Sequence, residues 1–290
     1  MQTQGKSAIV VGGGAMRGIF ATGVLDSFLE HDYAPFDFAM GVSAGSVNLV
    51  GYLAGDHGHS YHVLTTHACQ PEFINVKRYI RGGHLMDIRW LWQRYSASTG
   101  LNIPRFEHRN IPLLVVTTDI HSGQAHYHRV TRANMDILCP ASCAIPLIFR
   151  EYPEFMGVAM ADGGIADAIP VLEAYRRGAT DITVVLSRPL TYREPENPSP
   201  WLVRKVFRDY PQLAEAILHS AVRHNTALAF IEQPPADCRV RVVAPPCDFG
   251  VGSFTRDLDK LNAGYQLGKR TGKALCLPSG STPAPVCMAA

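Results

Sequence analysis

Twice within its first 54 residues the chain runs from a short apolar segment through a glycine-bounded turn straight into a helical pattern. Ser7 to Val11 leads into Gly12, Gly13 and Gly14, after which Phe20, Val24 and Phe28 recur every fourth residue with Leu25 and Leu29 beside them. Phe36 to Met40 is the second expected strand, GVSAG at 41–45 the second turn, and Ala44 to Ala54 the second helix. Successive strand-turn-helix units favour a mostly parallel sheet covered by helices on both faces, an α/β architecture of three layers. Further strands are expected at Leu113 to Thr118, Gly157 to Met160 and Ile182 to Leu186, and helices near Arg132 to Cys143 and Ile169 to Arg177.

The stretch TYREPENPSP, residues 191–200, has three prolines and no apolar period, and reads as a linker. Beyond it, Leu213, Ile217, Val222, Leu228 and Ile231 predict one long helix, RVRVVAP a strand, and Thr255 to Leu275 a closing helix. The expected organisation is an α/β domain over 1–190, a linker over 191–200, a mostly helical extension over 201–277, and a proline-rich tail over 278–290 with the composition of a disordered segment.

Composition removes several functions. With 290 residues, 47% hydrophobic, 18% charged and a net charge of only +2, the chain has the make-up of an ordinary soluble globular protein and lacks the basic footprint of a nucleic-acid binder. Seven cysteines, an odd number, show neither a zinc spacing nor a disulfide framework, and the apolar run after Lys6 is too short for a secretory signal. A cytoplasmic location is expected. The terminal CMAA has poor aliphatic positions for a prenylation box.

A strand that becomes a helix within a few residues leaves no room for side chains beside the turn. Gly41 and Gly45 remove them, and Ser43 then projects from the carboxyl edge of the sheet at the positive end of a helix. This is the pattern of a nucleophile elbow. Acyl transfer also needs oxyanion donors and a base. GGGAMRG at 12–18 follows the first strand, so its amides face the same edge as Ser43. A phosphate cradle is the rival reading, but a Walker loop needs Lys and Ser or Thr where Ile19 and Phe20 stand, and dinucleotide spacing puts Ala15 where a glycine belongs. The candidate base is Asp162 in MADGG, at another strand end, with Gly163 and Gly164 leaving room around its carboxylate; a turn-forming aspartate is the plainer alternative.

In order, GGAMRG at 13–18, GVSAG at 41–45 and DGG at 162–164 resemble the oxyanion loop, the nucleophile elbow and the aspartate motif of the patatin-like phospholipase family. ASCAIPLIF at 141–149 and DGGIADAIPVLEAYRRGA extend the likeness over roughly residues 7–190, and residues 200–277 are similar to the C-terminal extension of one bacterial subgroup. The resemblance implies the patatin-like α/β/α fold and lipid acyl-ester hydrolysis by a Ser43–Asp162 dyad. It also implies an oxyanion hole from the amides of Gly13, Gly14 and Ala15, with Arg17 and Gly18 completing the loop motif. Neither metal nor cofactor is implied for the ester cleavage; the expected partner is a lipid or other acyl-ester substrate.

Alternatives remain at this level. His57, His59, His62 and His67, then His121, His126 and His128, form two groups that fit a zinc site loosely and read as solvated loop histidines. His219 and His224 follow Asp162 in the order of a Ser-His-Asp hydrolase, but fall on one predicted helix whose exposed face is their simpler location. A non-catalytic lipid-binding protein on the same fold is a third reading. Finally, VKRYIRGGHLMDIRWLWQRY at 76–95 mixes Lys77, Arg78, Arg81, Arg89 and Arg94 with Tyr79, Trp90, Trp92 and Tyr95. Such a mixture suits transient contact with a membrane surface, and equally a helical excursion packed on the sheet domain.

Overall fold

The computed structural model describes residues 5–97 and 101–276. The tail expected to be disordered lies outside the described residues. Eight strands form the central sheet: β1 (Lys6–Val11), β2 (Phe38–Val42), β3 (Leu113–Asp119), β4 (Ala125–Arg129), β5 (Glu154–Phe155), β6 (Val158–Asp162), β7 (Ala179–Val185) and β8 (Arg239–Val243). The order is β5-β6-β3-β2-β1-β7-β8, with β4 also paired to β3. The five strands from β3 to β8 along this order run parallel, whereas β4 and β6 pair antiparallel with β3.

Side-chain alternation sorts the core into two layers. Ile9 and Val11 face a cluster with Phe20, Val24 and Phe28 of α1 (Ile19–Glu30) and Leu49 and Leu53 of α2 (Ala44–Ala54). The excursion helix α3 (Ile88–Ala97) adds Trp92 and Tyr95 to that side. Ala8 and Val10 face the other layer, where Val171 and Ala174 of α5 (Val171–Arg176) meet Leu228 and Ile231 of α7 (Ser220–Glu232); α4 (Met135–Ser142) covers β3 and β6.

Several boundaries differ from the expected ones. β2 extends two residues further, through Gly41 and Val42, and β6 continues to Asp162, so both motif residues sit immediately at strand ends. The long helix expected after the linker is two, α6 (Pro211–Leu218) and α7, separated at His219. The hairpin strand β4 was hidden because AHYHR is polar and only half-buried on an edge.

The C-terminal segment completes the main sheet and its covering layer. β8 pairs in parallel with β7, and α8 (Leu258–Cys276) lies along α1. The two helices approach closely because glycines face each other. A Cβ at Gly23 would lie 2.1 Å from the Tyr265 carbonyl oxygen, and one at Gly268 would lie 2.1 Å from that of Phe20. Tyr265 donates from its hydroxyl to Asp26 at 2.8 Å within this contact. Gly268→Ala is therefore expected to lower stability by roughly 1–3 kcal/mol, the usual range for overpacking a filled interface. Gly250→Ala, where an added Cβ meets nothing within 4 Å, is the control. Thermal melts in which both variants match the parent would remove this account of the α1–α8 contact.

Candidate active site

Ser43 lies between β2 and α2 with φ 52° and ψ −128°, a conformation costly for any residue with a side chain, by about 1–3 kcal/mol. Close packing holds it there. A Cβ at Gly41 would lie 2.6 Å from Cα of Ser46, and one at Gly45 would lie 2.3 Å from the carbonyl oxygen of Val11. The Ser43 N–H donates to Oγ of Ser142 at 2.8 Å, and the Ser142 hydroxyl in turn donates to the carbonyl of Val116 at 2.7 Å. One hydroxyl at the end of α4 thus ties the elbow to β3.

The register of β3 explains how Asp162 reaches Ser43. Val116 pairs with Val42, the last residue of β2, and the next residue, Thr117, pairs with Asp162, the last of β6. β4 occupies the opposite edge of β3 from Leu114 to Thr118, so β2 and β6 meet end to end along one edge. Gly163 permits the junction, because a Cβ there would lie 2.2 Å from the Val116 carbonyl oxygen. The buried Asp162 carboxylate accepts from the Gly164 N–H at 2.7 Å and faces the Ser43 hydroxyl. Burial pushes its pKa up to about 6, although the Ser43 hydroxyl and the Gly164 amide favour the charged form.

Gly12 to Gly18 passes directly over the elbow. A Cβ at Gly13 would lie 3.1 Å from that of Ser43. The amides at either end of the loop are occupied: Gly12 donates to Val185 at 3.0 Å, Met16 to Ser253 at 3.3 Å and Arg17 to Gly14 at 3.1 Å. Those of Gly13, Gly14 and Ala15 have no protein acceptor among the described residues. Arg17 donates to the hydroxyl of Ser253, and Gly18 lets α1 pack against Ala44 and Asn48.

Two cavities meet at Ser43. One, of about 80 Å³, is narrow and apolar, walled by Val47, Met86, Ile88, Leu91, Trp92 and Cys139 among others. The other, of about 380 Å³, is wider and polar, and is bordered by Asp162, Arg17, Arg188, Glu194, Ser220 and His224. Cys143 stands beside Ser43. Burial and the Asp162 charge push its thiol well above the usual range and keep it protonated, although the Ser43 hydroxyl opposes the shift.

Some expected locations change. Trp92 is buried, donating from Nε1 to Asp136 at 2.8 Å, and with the buried Tyr95 it forms cavity wall; the excursion borders the site, but its aromatic side is turned inward. His59 is likewise buried, against the Tyr95 carbonyl at 2.9 Å, and His126 and His128 lie on β4, so these three are not loop histidines in solvent. No group of three or more His, Cys, Asp or Glu able to hold a metal occurs among the described residues. His219 is exposed, as expected. His224 is not on an exposed face: it is half-buried in the wall of the polar cleft, where desolvation lowers its pKa. No hydrogen bond joins it to Ser43 or Asp162.

Sequence reasoning did not single out Ser142, Cys143, Ser187 and Ser253. The first two fall in the ASCAIPLIF likeness, but isolated serines after a strand or in a loop carry no local signature.

Comparison with known proteins places the chain in a family. A domain of unknown function, DUF6363, matches residues 210–277. The uncharacterized protein YjjU of Escherichia coli is 30% identical over 278 residues, covering 93% of this chain and 76% of that protein. Two fungal proteins, the lysophospholipases NTE1 of Lodderomyces elongisporus and Candida albicans, are 28% and 27% identical over 61% and 65% of this chain. These alignments span only 12% and 14% of the fungal proteins. The fold resembles that of VipD from Legionella pneumophila, with a TM-score of 0.52 at 11% identity over 94% of this chain and 67% of that one. The patatin-like phospholipase profile matches residues 9–175, from β1 through both strand ends that carry Ser43 and Asp162, and the chain belongs to that family.

Proposed function

We propose that the protein is a lipid acyl hydrolase working through a Ser43–Asp162 dyad. The observation that carries this reading is the meeting, at one strained serine, of a buried carboxylate, three unoccupied amides and an apolar cavity. The lysophospholipase relatives support the same substrate class.

In this mechanism the acyl chain lies in the narrow cavity and the alcohol portion in the wider cleft. Asp162 accepts the Ser43 proton as Oγ attacks the acyl carbonyl, and the amides of Gly13, Gly14 and Ala15 take the developing oxyanion. Collapse breaks the ester bond, and the departing alcohol receives the proton from Asp162. Water entering from the cleft then gives a proton to Asp162 and attacks the acyl-serine; collapse releases the fatty acid and returns the proton to Ser43. A raised carboxylate pKa suits the base, because proton transfer is easiest when acid and base strengths approach the working pH.

Ser43→Ala and Asp162→Asn are each expected to lower kcat by roughly 10³-fold or more, as for other members of a catalytic unit. His224→Ala should retain far more activity than either. If it is as inactive as Asp162→Asn, a histidine shares the proton transfer and the dyad falls.

The Asp162 pKa supplies two pH predictions. Activity should decline about tenfold per unit of pH below about 6, as the base becomes protonated. Stability changes in the opposite sense. Between the unperturbed 3.8 and about 6 the folded state binds more protons than the unfolded one, so the stabilising contribution present at low pH is lost as pH rises through that window. Asp162→Asn should accordingly melt at a higher temperature than the parent at pH 7; an unchanged or lower melting temperature would contradict a destabilising buried charge.

Contact with aggregated lipid belongs, in this reading, to the short helix Val76–Ile80, where Val76 and Ile80 are 61% and 78% exposed beside Lys77 and Arg81. Replacing both apolar residues with Ser should weaken sedimentation with anionic vesicles. Equal sedimentation of the double variant and the parent would exclude this helix as the contact.

A further inference from the structure

The wider cleft has a feature that ester cleavage itself does not require. Two arginines converge on it with no ion pair to either among the described residues. Arg17 extends from the oxyanion loop, with one terminal nitrogen on the Ser253 hydroxyl and a buried Nε without a partner. Arg188 lies just past β7, its guanidinium 3.9 Å from the centre of the Tyr192 ring. Its place is tied to the catalytic loop, because the hydroxyl of neighbouring Ser187 donates to the Gly13 carbonyl, and a Cβ at Gly14 would lie 2.4 Å from that same hydroxyl oxygen.

The charges nearby do not neutralise this pair. Among the described residues Glu194 is the one carboxylate on the cleft wall besides Asp162, and its Oε2 already accepts from the Tyr192 hydroxyl at 3.0 Å. Burial lowers the Arg17 pKa to about 10; repulsion from Arg188 lowers it further than Glu194 raises it. His224 adds no third positive charge, since burial holds it towards the neutral form. Two like charges kept together in a half-buried cleft are unfavourable until an anion lies between them. Guanidinium groups present paired N–H donors that match phosphate oxygens, and a stacked guanidinium is already oriented for that contact.

We propose that Arg188, with Arg17, forms a phosphate site in the leaving-group cleft and makes the enzyme select acyl lipids whose alcohol portion carries a phosphate over neutral glycerides. This rests on Ser43 being the nucleophile, with the acyl chain in the narrow cavity. The C-terminal segment takes part directly, because Ser253, within the region of unknown function, positions Arg17.

The test compares 1-decanoylglycerol 3-phosphate with 1-decanoylglycerol, both as monomers below their aggregation concentrations. The parent protein is expected to favour the phosphate ester in kcat/KM by roughly ten- to a hundredfold, the range for charge-assisted hydrogen bonds to a phosphate. Arg188→Ala should bring the ratio close to one, and Arg188→Lys should restore part of it, because charge returns without the fork. A parent ratio near one, or an equal loss on both substrates in Arg188→Ala, would overturn the proposal.

Binding of the same two lipids to Ser43→Ala separates this site from the catalytic assignment. If the parent hydrolyses no ester, including a short soluble one, the acyl-hydrolase reading fails, yet tighter binding of the phosphate lipid that is lost with Arg188→Ala still supports the phosphate site. Equal binding of the two lipids overturns it. Inorganic phosphate is the third arm: binding as tight as that of the phosphate lipid would identify a free-phosphate site and overturn the headgroup assignment.

Discussion

The pairing of β3 with two different strands along one edge is the constraint on which the site depends. Val116 ends the ladder to β2, and Thr117 begins the ladder to β6, so one peptide step on β3 separates the partners of Val42 and Asp162. A slip of one residue in either ladder would turn its side chains to the opposite face of the sheet. The Ser142 hydroxyl bonds both the Val116 carbonyl and the Ser43 amide, so the elbow is referenced to the same point. The distance between Ser43 and Asp162, the proposed nucleophile and base, is therefore set by backbone register, and not by the reach of flexible side chains.

Much of this arrangement is legible in the sequence, for a physical reason. Turns that bring strands, helices and peptide groups within about 3 Å of one another tolerate few residue types, so GGGAMRG, GVSAG and DGG announce themselves. The apolar runs of β1, β2 and β7 are similarly explicit because both faces of a central parallel sheet are buried. What is hidden depends on contacts between distant residues. Ser142 is one serine among many until β3 lies beside it, and Arg188 has no local pattern until the loop after β7 meets Gly13. The inward turn of Trp92 is hidden for the same reason: an amphipathic helix facing a cavity and one facing lipid have the same residue spacing.

The two cavities divide the chemistry by polarity. On the narrow side stand apolar walls, with Ile88, Leu91 and Trp92 from α3, that suit the acyl chain of the proposed mechanism. On the wide side, arginines, serines and Asp162 line the cleft proposed to hold the alcohol and then water. Burial raises the Asp162 pKa, while the Gly164 amide holds the carboxylate in place. The same burial that makes the charged carboxylate unfavourable in the fold makes it a stronger proton acceptor.

The bonds from Ser253 to Met16 and Arg17, and the glycine contact between α1 and α8, join residues 16–23 to residues 253–268. During synthesis, Ser43 and Asp162 both leave the ribosome well before residues 253–268 exist. The loop over Ser43 lacks these supports until residue 253 has been made. A growing chain thus carries Ser43 and Asp162 while the frame around them is still incomplete, and a loop made late braces a turn made early.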